Sequence, residues 1–122
     1  MFVAHIDHVQ LAMPVGGEDR ARKFYRDVLG LPEVRKPPHL VKRGGCWFER
    51  AELKIHLGVD PDFRPAQKAH PALVVDGLNT LIEILESEGY PVRPDAPLNG
   101  HRRVYVDDPF GNRIELIEAG DA

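Results

Sequence analysis

Val9, Leu11 and Met13 alternate with His8, Gln10 and Ala12, a period of two that belongs to a strand with two unlike faces, expected over Ala4 to Met13. Beyond Pro14 and the Gly16-Gly17 pair the period changes. Ala21, Phe24, Tyr25 and Val28 take helical spacing behind Glu18 and Asp19, whose charge suits a helix N-terminus, and Gly30 closes that helix. Leu31 to Arg35, Gly44 to Arg50 and Leu53 to Val59 read as three more strands, bounded by Pro37-Pro38, Gly44-Gly45 and Asp60-Pro61. The polar, proline-bearing stretch that follows, up to Ala69, reads as a connector.

The pattern then starts again. An apolar strand from His70 to Val75 leads to Asp76 as a candidate N-cap, and Leu78, Leu81, Ile82 and Leu85 follow at helical spacing up to Gly89. Short strands are expected around Val92, Val104 and Ile114, the last two joined by a tight turn through Asp107-Asp108-Pro109-Phe110-Gly111-Asn112. Both halves thus read strand, helix, strand, strand, strand, which makes the chain an α+β protein of two βαβββ modules. Module one covers residues 1–59, a connector residues 60–69 and module two residues 70–122, together one domain over 1–122.

The spacing of the repeat singles out four residues. His56 lies 26 positions after Gly30 and Glu115 lies 26 positions after Gly89, so Lys54-Ile55-His56-Leu57 corresponds to Arg113-Ile114-Glu115-Leu116. His8 precedes Gly30 by 22 positions and His70 precedes Gly89 by 19, the difference matching the size of Val15-Gly16-Gly17. His8 and His70 are therefore equivalent, as are His56 and Glu115. Alternation sets each of them on the face opposite its apolar neighbours, and two modules enclosing a common trough would turn all four inward. Imidazole nitrogen and carboxylate oxygen suit a divalent transition ion such as Zn²⁺, Ni²⁺, Fe²⁺, Co²⁺ or Mn²⁺ better than Ca²⁺. Four protein ligands could fill a tetrahedral site, whereas an octahedral ion would keep two places for water or substrate, and the sequence does not choose between them. His5, His39 and His101 have no such repeat partner and read as ordinary surface or hydrogen-bonded histidines; Glu118 lies past the matched position and reads as solvated.

Composition narrows the class. The 122 residues are 43% hydrophobic, enough for a core, and the formal charge of -3 is spread among interspersed acids and bases. Neither nucleic acid nor a membrane is expected as partner. No stretch approaches the ~20 apolar residues that span a bilayer and the N-terminus lacks a basic-then-apolar leader pattern, so a cytoplasmic location is expected. Cys46, the one cysteine, reads as a buried structural thiol.

Three segments resemble the superfamily of glyoxalase I, bleomycin-resistance proteins and extradiol dioxygenases, the vicinal oxygen chelate proteins. They are Ile6-Asp7-His8-Val9-Gln10-Leu11, the stretch from Phe24-Tyr25 through Val28-Leu29-Gly30-Leu31, and Asp108-Pro109-Phe110-Gly111-Asn112-Arg113-Ile114-Glu115-Leu116. The last is the most specific, and the resemblance covers nearly the whole chain. It implies a curved sheet trough, metal ligands at His8, His56, His70 and Glu115, and a site assembled where two modules meet. It also implies a homodimer, since small members often pair modules across a two-fold axis. One position departs from the pattern: bacterial glyoxalase I carries a glutamate where this chain has His56. Glu115 is then the one remaining ligand able to act as a base, which argues against glyoxalase activity itself.

The leading expectation is a metal-dependent lyase, isomerase or dioxygenase that chelates a small substrate through vicinal oxygens, with Glu115 as catalytic base. Arg103 and Tyr105 alternate against Val104 and Val106, and with Gln10 and Arg113 they are candidate substrate-binding residues. For Trp47 the pattern leaves open a place in the pocket wall or under a helix. The alternative is a bleomycin-resistance-like protein that holds a small molecule without catalysis.

Overall fold

The structure is a computed structural model and describes residues 1–120. It divides into two compact units, Met1–Arg64 and one from Pro65 onward. Each is a small layer of helix on an open four-stranded sheet.

In unit one, β1 (Val9–Met13) leads through α1 (Glu18–Ala21) and its π-helical continuation Arg22–Val28 to β2 (Glu33–Val34). A 3-10 helix, Pro38–Arg43, follows, then β3 (Cys46–Arg50) and β4 (Leu53–Val59). The sheet order is β1-β4-β3-β2, with β1 parallel to β4 and the other pairs antiparallel. Phe24 and Tyr25 are fully buried and the Tyr25 ring stacks on Phe48 of β3 at 5.5 Å, so the helical spacing seen in the sequence does bury one face against the sheet. The expected α-helix widens to π geometry from Arg22, and Leu29 N–H donates to the Phe24 carbonyl five residues back. Cys46 is buried, and desolvation pushes its thiol up to about 11.

Unit two repeats the plan with β5 (Ala72–Val75), α2 (Leu78–Ser87), β6 (Val92–Pro94), β7 (Arg103–Asp107) and β8 (Arg113–Glu118), in the order β5-β8-β7-β6. Leu78, Ile82 and Leu85 of α2 are buried on the face where Val104, Val106, Ile114 and Leu116 are buried. The turn between β7 and β8 is organised by the buried Asp108, whose carboxylate accepts the Phe110 and Asn112 N–H groups and the Asn112 side-chain amide.

Four expectations need correction. The first strand begins at Val9 rather than Ala4: its ladder with β4 starts with Val9 beside Ile55, and residues 1–8 are exposed. The strand expected from His70 begins at Ala72, since Pro71 has no N–H to donate and serves only as acceptor for Glu115 N–H. His8 and His70 thus precede their strands instead of lying in them. Asp76 does not cap α2: Gly77, at φ +84°, holds the N-cap position, and Leu78 N–H donates to Glu118 on β8. Glu118 is accordingly a capping acceptor for α2, not a solvated terminus, and a carboxylate there also suits the positive end of the helix.

Candidate metal centre

The register of the two sheets repeats. On β4, His56 lies beside Gln10 of β1 and Trp47 of β3; on β8, Glu115 lies beside Ala72 of β5 and Tyr105 of β7. Gln10 and Ala72 each come two residues after a histidine, so the pairing of strands reproduces the equivalence of His8 with His70 and of His56 with Glu115. Each unit therefore sets a histidine, a ligand-type residue on its central strand and an aromatic side chain in one neighbourhood.

In unit two, Glu115 is 5% exposed and both its oxygens are engaged. Its Oε1 lies 2.9 Å from His70 Nε2, and its Oε2 accepts from Arg103 at 3.2 Å. Arg103 is itself fixed by the Tyr105 hydroxyl, the Ala96 carbonyl and the Asp95 carboxylate. Tyr105 presents its ring edge-on to His70 at 5.3 Å, and the Arg113 guanidinium lies over it at 5.4 Å. The His70 Nδ1–H donates to the Lys68 carbonyl at 2.8 Å, and because a carbonyl can only accept, the proton of a neutral His70 is on Nδ1. Nε2 then turns a lone pair toward a carboxylate oxygen. Such a meeting requires a proton between them or a cation in the proton's place, and the anchored Nδ1 is the arrangement that metal-ligating histidines adopt.

In unit one, His56 is 4% exposed and its ring is stacked between Trp47, at 4.0 Å and 2° from parallel, and His8, at 4.2 Å and 21°. Burial holds its pKa below the usual imidazole value, against the opposing pull of Glu49, and the nearby His8 lowers it further. A neutral His56 donates Nε2–H to Glu49 at 2.7 Å and keeps its lone pair on Nδ1. His8 is oriented the other way: its Nδ1–H donates to Asp7 at 2.9 Å, leaving Nε2 free. That hydrogen bond, with the Lys54 charge, holds the Asp7 carboxyl below its ordinary value.

All four ligand-type residues thus have chemistry that fits a divalent transition ion, two in each unit. Among the described residues, neither unit by itself gathers three His, Cys, Asp or Glu side chains close enough to hold one. Of the candidate substrate-binding residues, Arg103, Tyr105 and Arg113 cluster around Glu115, whereas Gln10 belongs to unit one, its amide lying over Gly58 where a Cβ would collide with it. Sequence reading passed over Glu49. The signal was present, because Trp47 and Glu49 alternate with the buried Cys46 and Phe48, but it needed the β3-β4 register to become a contact with His56.

The family model described as the Glyoxalase/Bleomycin resistance protein/Dioxygenase superfamily matches residues 5–116. A lactoylglutathione lyase of Haemophilus influenzae is 33% identical over 116 residues, covering 85% of this chain and 86% of its own. A glyoxalase family protein from Bacillus anthracis has a crystal structure that superposes with a TM-score of 0.91 at 45% identity, over 98% of both chains. A fosfomycin resistance protein of Listeria monocytogenes shares the fold, with a TM-score of 0.77 at 15% identity over 98% of this chain and 96% of its own. No helix among the described residues is long and apolar enough to cross a membrane.

Proposed function

As this chain belongs to the glyoxalase, bleomycin resistance protein and dioxygenase superfamily, we propose that it is a metal-dependent enzyme whose small substrate is chelated through vicinal oxygens. The proposal rests above all on His70 Nε2 and Glu115 Oε1 meeting at 2.9 Å while His70 Nδ1 is anchored on a backbone carbonyl. His8, His70 and Glu115 are the residues that would hold the ion, and His56, whose ring is stacked between Trp47 and His8 and whose free nitrogen is Nδ1, is the fourth. A divalent transition ion bound there would supply Lewis acidity.

The remaining chemistry belongs to the chain. Glu115 is the candidate base, with Arg103 on Oε2 fixing the plane of the carboxylate. Arg103 and Tyr105 are positioned to orient the substrate's polar groups, and Arg113 adds a cation above the same ring. His8 and His56 lie in the first unit and His70 and Glu115 in the second, so the reading requires units to meet, and a homodimer with sites shared between chains meets that need.

Elemental analysis tests the proposal directly. Protein expressed in metal-replete medium should carry a transition ion at a stoichiometric level, and His70→Ala and Glu115→Ala should each lose it. Stoichiometric absence in the parent protein would favour the reading as a small-molecule binding protein without catalysis.

A further inference from the structure

Beside the His8-His56-Trp47 stack, unit one contains a cavity of about 140 Å³. Its wall combines Lys36, Arg43, Gln10 and Trp47 with the apolar side chains of Leu40 and Val59. A pocket that takes a whole drug-sized ligand has ~300 Å³ or more, so this one has room for one end of a molecule.

The charged side chains of its lining are all cationic. Two cationic side chains line it and no carboxylate does. Arg43 makes no ion pair or hydrogen bond among the described residues. Lys36 is half-buried, and among the described residues its ammonium donates only to the Gly44 carbonyl, which leaves two of its three N–H donors without an acceptor there. Glu18 lies behind this wall, its Oε2 accepting the Gly45 N–H at 2.9 Å, and it makes no ion pair with either cation among the described residues. The backbone that brings Arg43 and Trp47 to this wall is built for close approach: Gly45 is at φ +81°, and a Cβ there would collide with the Leu57 carbonyl. Gln10 adds an amide whose position requires Gly58 beneath it.

We propose that this cavity is an oxyanion-binding subsite, taking a carboxylate or phosphate group at one end of the substrate, with Arg43 and Lys36 as its charged contacts and Gln10 as a neutral one. A half-buried Lys36 and an exposed Arg43 that makes no ion pair among the described residues both gain charge-assisted hydrogen bonds when an oxyanion enters. Leu40 and Val59 accept the carbon portion next to that group. Trp47 belongs to both places, lining the cavity and stacking on His56, so an anion held here directs the rest of its molecule toward the histidine stack. The assignment of the occupant as substrate rests on the function proposed above. The binding itself needs unit one alone and no metal.

Trp47 is the one tryptophan of the chain, so its indole N–H gives a single signal in a ¹H–¹⁵N spectrum of the full-length protein. Chelator-treated protein is titrated at constant ionic strength with butyrate, inorganic phosphate and 1-butanol, with sodium chloride as the ionic control. Saturable movement of the Trp47 signal by butyrate or phosphate is expected, with whichever oxyanion binds more tightly naming the source. Arg43→Gln and Lys36→Gln should each weaken that binding roughly tenfold or more, in variants whose remaining spectrum is unchanged. His70→Ala should leave the titration intact even where it abolishes metal binding, which separates a failure of this subsite from a failure of the metal reading. The inference is overturned if neither oxyanion gives a saturable shift, if butanol or chloride reproduces it, or if affinity is the same in both variants.

Discussion

His70 and Glu115 stand 45 residues apart in sequence and meet at 2.9 Å, with the His70 proton held on the far nitrogen by the Lys68 carbonyl. Apposed acceptors of this kind are a liability in a protein without a proton or cation to place between them. The sharpest expectation is therefore compositional. His70→Ala and Glu115→Ala should lower bound metal from near stoichiometric to background, while His56→Ala, which removes a ring tied to Glu49, should lower affinity by a smaller factor. Metal content unchanged in the first two variants would remove the site.

Glyoxalase activity provides a second test. With methylglyoxal and glutathione the parent protein should turn over well below the ~1 to 10³ per second usual for enzymes, because His56 stands where bacterial glyoxalase I has a carboxylate. Turnover inside that range would show that the imidazole is no obstacle.

Assembly can be tested by complementation. His8→Ala and Glu115→Ala chains, each unable to bind metal, are unfolded together and refolded, and mixed dimers are confirmed by native mass spectrometry. If sites are shared between chains, the mixed dimer has one doubly broken site and one intact site, and metal binding returns at about half a site per chain. No recovery in confirmed mixed dimers would mean that each site is built within one chain.

Burial of neutral His56 makes stability depend on pH. Its folded-state pKa is lowered chiefly by desolvation, so below about pH 6.5 the unfolded chain binds more protons there than the folded one. The contribution is complete above the unfolded value and is lost as pH falls toward the folded one. Urea unfolding of metal-free protein between about pH 7 and about pH 5 should show this decline, and His56→Gln should flatten it. An equal slope in both proteins would assign the decline to other groups.

Asp108 should be a stability hot spot of the β7-β8 turn. Three N–H donors of the β7-β8 turn converge on its buried carboxylate, and Asp108→Ala should cost about 2–4 kcal/mol in urea unfolding. A loss within ~0.5 kcal/mol, the ordinary range of a surface change, would show that the turn does not depend on these bonds.

What the sequence determined by itself is whatever local periodicity and repetition encode. Alternation around Val9, Ile55 and Ile114 marked the strands and their two faces, helical spacing marked Phe24-Tyr25 and Leu78-Ile82-Leu85, and equal offsets from Gly30 and Gly89 paired His56 with Glu115. The strand registers agree with that pairing because side-chain direction repeats every two residues and cannot slip by one without exposing the core. Tertiary structure decided the rest, since those contacts join residues far apart in the chain and depend on the direction of single side chains. No local pattern tells that Glu118 caps α2 from another strand, that Glu49 occupies the Nε2 of His56, or that Lys68 fixes the proton of His70. Nor could spacing show that Lys36 and Arg43 share a wall with Trp47, which required the 3-10 turn and Gly44-Gly45 to fold back over β4. Residue type and face were legible along the chain; the nitrogen each histidine leaves free was set only when distant acceptors closed on the other one.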